Sequence, residues 1–322
     1  MNRAGFGSIV LLAATLLAGA AAAQAQPALT LGTASLGGTY NVYGEAVARV
    51  LNEKTRLRVE AQQTQGPNQN IVMVDERKLD LGMVTLGVAR QAVTGSGAWT
   101  KGQRFENIRA LFPMYDTPMH CLALKKSGIT AFRQLDGKAV GVGPKAGTTG
   151  TYFPQIFATL GMTAQVRFGT SADMANQLND GVIDAFCFGA GLPVPAFAEL
   201  DAAQPVSFFT WTDEDLAAIR KAMPEFSAST IPKGLYRQQT ADQKTVGLFN
   251  FAIAHRDMGD DVAYLVTRTV LENNAALVRA HAAARETVAA NAPRNTFLPF
   301  HPGAARYYRD KGIKLDPGAL PK

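Results

Sequence analysis

The chain has no run of lysines and arginines, only two cysteines and four histidines in 322 residues, and no long apolar stretch beyond its N-terminal end. Each scarcity excludes something. The 32 basic and 26 acidic residues give a formal charge of +6, but the basic residues stand singly, and the densest clusters are Lys125-Lys126 and Arg306-Tyr307-Tyr308-Arg309. A nucleic-acid arm needs contiguous positive charge, so no nucleic acid is expected as a partner. His120, His255, His281 and His301 lack metal-ligand spacing, and neither cysteine belongs to a CxxC pair, so no metal is expected. No G-x-S-x-G elbow occurs, and no glycine loop ends in Gly-Lys-Ser/Thr. Glu60 falls 20 residues after Tyr40, as the acidic residue of a dinucleotide unit would, yet Gly32–Tyr40 does not spell G-x-G-x-x-G. Without a nucleophile–base pair or a cofactor motif, neither an enzyme nor a cofactor is expected. What remains is 47% apolar and 18% charged, an ordinary globular composition whose mild positive field favours anionic ligands or an anionic membrane surface.

The N-terminus sets the compartment. Asn2-Arg3 is a short positive start, Ile9 to Ala23 is apolar or small, and Ala23-Gln24-Ala25 fits a small-x-small cleavage signal. Residues 1–25 therefore read as a secretory signal peptide, whose core from Ile9 to Leu17 is too short for a span of about 20 residues. Cleavage near Ala23 or Ala25 is expected, with a soluble, periplasmic mature protein. Loss of the first 25 of the 322 residues leaves 297, enough for two packed lobes, and takes Arg3 with it, leaving +5 of the +6. Export to an oxidising space permits a bridge between Cys121 and Cys187. Both sit in apolar runs, where buried free thiols are the commoner outcome, so composition leaves the pair open.

Strand and helix patterns alternate. Ala28 to Gly32 reads as a strand, Asn41 to Glu53 as a helix, Leu57 to Ala61 as a strand, Asn68 to Arg77 as a helix and Leu79 to Leu86 as a strand. Such alternation builds a mostly parallel sheet covered by helices. The pattern then partly repeats. Thr30 to Tyr40 and Ala139 to Tyr152 are each strand, Gly/Thr loop and helix start, and each ends in Thr-Tyr. Lys78 to Val84 is matched by Gly181 to Phe188. Two related α/β lobes account for this pseudo-repeat. Residues 209–322 read mainly as helices, Asp213 to Met223, Asp260 to Ala276 and Asn274 to Ala289, which fold back on the first lobe. The expected division is 26–114 with 209–322 for lobe 1 and 115–208 for lobe 2. The chain then crosses twice, near Pro113–Pro118 and near Pro205–Thr210, which makes a hinge and a closable cleft.

The paired loops carry the chemistry. A helix N-terminus has unpaired N–H groups and a partial positive charge, and ligands of parallel sheets sit at the carboxyl ends of the strands. Gly37, Gly38, Gly147 and Gly150 let the backbone approach a ligand. Ser35, Thr39, Thr148, Thr149 and Thr151 add hydroxyl donors. Turns and N-caps account for one such loop alone; two matched loops favour binding of one anion between them. The candidate site is therefore Ser35, Leu36, Gly37, Gly38, Thr39 and Tyr40 facing Gly147, Thr148, Thr149, Gly150 and Thr151. Thr85 and the loop with Gly189, Gly191 and Pro193 complete it. Tyr40 and Tyr152 each follow a loop directly, and each phenol either meets the cleft or packs in the core.

These segments resemble the TAXI proteins, the solute receptors of one class of tripartite ATP-independent periplasmic (TRAP) transporters. The likeness starts at Gly32 to Tyr40, continues through Leu79 to Gly82, Gly143 to Thr151, Asp180 to Phe186 and Ala190 to Pro195, and ends with Ile231 to Tyr236 and His301 to Tyr308. It implies a type II periplasmic-binding-protein fold, two α/β lobes joined by a two-crossing hinge. It also implies a small carboxylate ligand, such as a dicarboxylate, a keto acid or an acidic amino acid, and a TRAP membrane permease as partner. The carboxylate would meet Ser35 to Tyr40 and Thr148 to Thr151. The chain departs from similar proteins at Tyr40-Asn41-Val42-Tyr43, where Tyr-Tyr-Pro is common after Gly-Gly-Thr, and at Val84-Thr85-Leu86, where a polar Gln-Ser or Gln-Ala is common. Both departures flank the expected pocket and bear on ligand identity. A sensory receptor of the same fold is the alternative.

Overall fold

The computed structural model describes residues 28–321, so the signal-peptide and cleavage expectations lie outside the described residues. Strands β1 (Ala28–Gly32), β2 (Arg58–Gln62) and β3 (Leu81–Thr85) run parallel, with Leu29 opposite Val59 and Leu31 opposite Leu81. Helices α1 (Thr39–Lys54) and α2 (Pro67–Asp75) make the crossovers, and α3 (Leu86–Thr94) follows β3 without a loop. β2 alternates exposed and buried residues, as an edge strand does, whereas every residue of β3 is buried.

β4 (Ile108–Leu124) is 17 residues long, roughly 56 Å of extended chain. After it come β5 (Ala139–Gly141), α4 (Thr148–Thr159), β6 (Gln165–Arg167), α5 (Ser171–Asn179), β7 (Ala185–Gly189) and α6 (Pro195–Ala203). β8 (Val206–Phe209), α7 (Asp213–Ala222), β9 (Ser227–Ile231) and β10 (Gln243–His255) follow, then α8 (Asp260–Glu272), α9 (Asn274–Ala280) and α10 (Pro302–Asp310). The sheet order is β2-β1-β3-β10-β4-β7-β5-β6, with β8 on β4 and β9 on β10.

The two longest strands belong to both halves of this sheet. The Asn250–Ala254 part of β10 pairs with β3, and its Gln243–Gly247 part pairs with β9. β4 pairs with β10 over Ile108–Pro118, then with β7 over Met119–Leu122 and with β8 over Cys121–Leu124. Register shifts break the β4–β10 ladder between Phe249 and Ile253, which bends and twists the pair.

β4 passes from pairing with β10 to pairing with β7 and β8 just after Pro118. Residues 206–209 form β8, hydrogen-bonded to the far end of β4, and the chain stays in that half. Trp211 packs beside Phe132 and Phe153, and the Tyr236 hydroxyl accepts from the Val194 N–H and bonds the His120 ring. The return is β10. Its thirteen residues are buried from Thr245 onward, so no alternation marks the segment as a strand. The helical reading of residues 209–322 overlooks β9 and β10. The helix expected over Asn274–Ala289 ends at Ala280, followed by a 3₁₀ turn over Ala282–Glu286.

The segment after β10 lies against the first half. The Tyr308 hydroxyl donates to the Leu111 carbonyl at 2.8 Å, the His301 N–H donates to Ala110, and the Tyr43 and Thr287 hydroxyls bond at 2.9 Å. Cys121 and Cys187 face each other across β4 and β7 and form a disulfide. Register decides the pair that composition left open: two independently apolar strands place the two sulfurs at one cross-strand position.

Candidate functional site

The loops after the parallel strands converge on one gap. After β1 the chain passes Thr33 to Gly38 before α1 begins. Gly37 has φ of +82°, the left-handed region, and a Cβ there would stand 2.8 Å from the Ala172 nitrogen. In the other half, Pro144 to Gly147 leads into α4. Here the two halves touch: a Cβ on Gly66 would lie 3.2 Å from the Gly147 Cα.

Hydrogen bonds join the halves across the gap. The Thr39 hydroxyl donates to the Gly191 carbonyl at 2.6 Å, and the Thr85 and Thr148 hydroxyls bond at 3.1 Å. The N–H groups of Asn68, Ala172 and Ala196 donate to the carbonyls of Ala146, Leu36 and Gly37. The cleft is closed. It holds a cavity of about 40 Å³, against the 10–15 Å³ or so that one water needs.

Four helices start at the wall of this cavity. Gly38, Gly66, Thr85 and Gly147 are the N-caps of α1, α2, α3 and α4, and all four line it. In none of the four does the cap residue's side chain bond the helix's first turn, and none of the four first turns holds an acidic residue. Pro67 brings no N–H, but the other three helices leave first-turn N–H groups for whatever fills the gap. Each N-terminus carries about half a positive charge, so the four dipoles add. Phe188, Pro144, Ala34 and Ala190 supply apolar wall, while Ser35, Thr39, Thr85, Thr117, Thr148 and Thr149 bring hydroxyls.

Tyr40 lines the cavity and donates its phenol hydrogen to Asn250 Oδ1. Burial holds the Tyr40 pKa well above its usual 10, so the phenol is a neutral donor. Asn250, fully buried on β10, donates in turn to the Tyr115 carbonyl and to the Thr117 hydroxyl. One amide therefore ties the start of α1 to both crossing strands.

Of the expected site residues, the structure brings Ser35, Gly38, Thr39, Tyr40, Thr85, Gly147, Thr148, Thr149 and Gly189 to the cavity. The others stand behind it. Leu36 is half exposed, the Gly37 and Gly191 carbonyls accept bonds that close the cleft, and the Thr151 hydroxyl donates to the Gly147 carbonyl. Gly150 packs on the Pro144 carbonyl, and the Pro193 carbonyl meets His281 Nε2. Tyr152 turns into the core, where its hydroxyl donates to Glu225 at 2.9 Å. Sequence reasoning missed Gln65, Gly66 and Pro67, although a Gly-Pro pair after a parallel strand obeys the same loop rule. Thr117 has no such signal, because only the crossing of β4 places it here.

A family model described as the NMT1-like family matches residues 31–312. Among solved structures, the binding-protein component of an ABC phosphonate transporter from Pseudomonas aeruginosa is similar, with a TM-score of 0.52 and 13% identity over 82% of this chain and 81% of that one. A putative L-cystine ABC transporter from Listeria monocytogenes aligns with a TM-score of 0.50 and 13% identity, over 81% of this chain and 98% of the other. The GluR0 ligand-binding core in complex with L-glutamate gives 0.50 and 12%, over 81% and 98%. At these identities the likeness is one of fold: the α/β architecture of solute-binding proteins, consistent with the type II arrangement.

Proposed function

Because the chain belongs to the NMT1-like family and has the fold of solute-binding proteins, we propose that it is an extracytoplasmic receptor that closes on a small organic anion and delivers it to a membrane transporter. The observation that carries this reading is the meeting of four helix N-termini that no side chain caps, from both halves of the sheet, on one cavity. Fixed N–H groups and summed dipoles hold an anion without any cationic side chain. Closure removes water from the gap and strengthens each of those interactions.

In this reading the first lobe comprises β1 to β3, the near ends of β4 and β10, and the segment after β10. The second lobe takes the far ends of those strands and everything between them, and β4 and β10 form the hinge. The anion engages Ser35 to Tyr40 first, and closure then brings Gly147 to Thr149 against its other side. The sequence resemblance to TAXI receptors supports a TRAP permease as the transporter, and the leader pattern supports a periplasmic location.

A thermal-shift screen of C2 to C5 carboxylates and phosphonates tests the reading. A cognate acid at about 100 times its dissociation constant adds roughly 2.7 kcal/mol of stability. If no small acid raises the melting temperature, the protein is not a receptor for small anions.

A further inference from the structure

Resting on that reading, we infer that the anion is an acid without an ammonium group next to its carboxylate: a hydroxy, keto or unsubstituted carboxylic acid, not an α-amino acid. The inference comes from what the wall offers to positive charge. Among the described residues, no Asp, Glu, His, Lys or Arg lines the cavity. The helix ends that favour a carboxylate disfavour a cation by the same dipoles.

An ammonium also has three N–H donors and needs acceptors for them. Four carbonyls that border the two cradles are already engaged. Ser35 accepts from the Gly38 N–H, Pro144 from Gly147, Gly66 from Asn70, and Gly191 from the Thr39 hydroxyl. An α-ammonium sits one bond from the carbon bearing the carboxylate, so it is buried wherever the carboxylate is. Asp173 lines not the cavity but an adjoining groove of about 690 Å³. That groove shares Ser35, Gln65 and Pro144 with the cavity and also holds Lys145. A longer acid extends through it, and a second carboxylate on such an acid finds Lys145 there. The groove thus sets the length of the ligand, and the cavity sets the charge of its head.

Calorimetric titration of matched pairs tests the inference: lactate and pyruvate against L-alanine, 2-oxobutyrate against 2-aminobutyrate, and succinate against L-aspartate. In any pair that binds, the amine-free acid is expected to bind about 100-fold or more tightly than its amino partner, because a buried ammonium without a counter-charge is strongly disfavoured. An amino acid that binds as tightly as its amine-free partner overturns the inference and leaves the anion receptor standing. No binding by either member of any pair, nor by any acid of the wider screen, removes the receptor reading and the inference together.

Discussion

The Thr85–Thr148 hydroxyl pair offers the sharpest test of closure. Thr85 caps α3 in one half, Thr148 opens α4 in the other, and their oxygens meet at 3.1 Å with both side chains buried. In the proposed mechanism this bond exists only when the cleft is shut. Thr148→Val keeps the shape of the side chain and removes the hydroxyl. The lost bond is worth about 1 kcal/mol net, and that deficit falls on the closed state alone. The closed fraction and the apparent affinity then drop about fivefold. Thr85→Val is expected to do the same. The double variant is expected to lose little more than either single one, because both remove one shared bond, leaving a coupling energy near 1 kcal/mol. Calorimetric titration of wild type, both singles and the double with the acid that stabilises the protein most measures the cycle. Two single variants that bind within twofold of wild type would refute the argument. Fully additive losses would show that each hydroxyl meets the ligand separately and that the bridge does not control closure.

Further outcomes follow from the core. The Cys121–Cys187 bridge closes a separation of 66 residues, for which the chain-entropy relation gives about 4 kcal/mol. The double Cys→Ser variant should show that loss in a urea titration, and an unchanged midpoint would mean that the bridge does not form or does not matter. Burial holds the His120 imidazole neutral by lowering its pKa from 6.5 to about 3. The folded-state pKa is depressed, so the stability contribution is full above pH 6.5 and is lost as the pH falls from 6.5 toward 3. The slope approaches about 1.4 kcal/mol per pH unit. His120→Gln should flatten unfolding free energy against pH in that window by this amount, and identical slopes in the two proteins would contradict a buried neutral ring.

The first half of the molecule was legible because its elements are local. Val59 between exposed Arg58 and Glu60, and the helical spacing of Val47, Val50 and Leu51, announce an edge strand and an amphipathic helix within a few residues. Gly37 and Gly147 mark loops that only a backbone without a side chain can make, so the two cradles were visible before any geometry was known. β10 was not legible, since a strand buried on both faces has no alternation to betray it. The all-helical reading of residues 209–322 descends in large part from that one strand. Gly66-Pro67 obeyed the loop rule already applied to its neighbours, but it lacked a counterpart in the second half, and pairing was the criterion used.

By itself the sequence determined two similar strand–loop–helix units, the scarcity of charge in their loops and the absence of catalytic or metal-binding motifs, all of which depend on neighbours within a dozen residues. Tertiary structure alone decided which of those loops meet. The antiparallel run of β4 and β10 joins both halves of the sheet, and the register of β4 on β7 joins Cys121 to Cys187. That same crossing brings Thr117 and the starts of four helices to one cavity. The physical reason is range: propensity and periodicity are properties of a short segment, whereas register between strands more than a hundred residues apart is fixed only when the whole core packs.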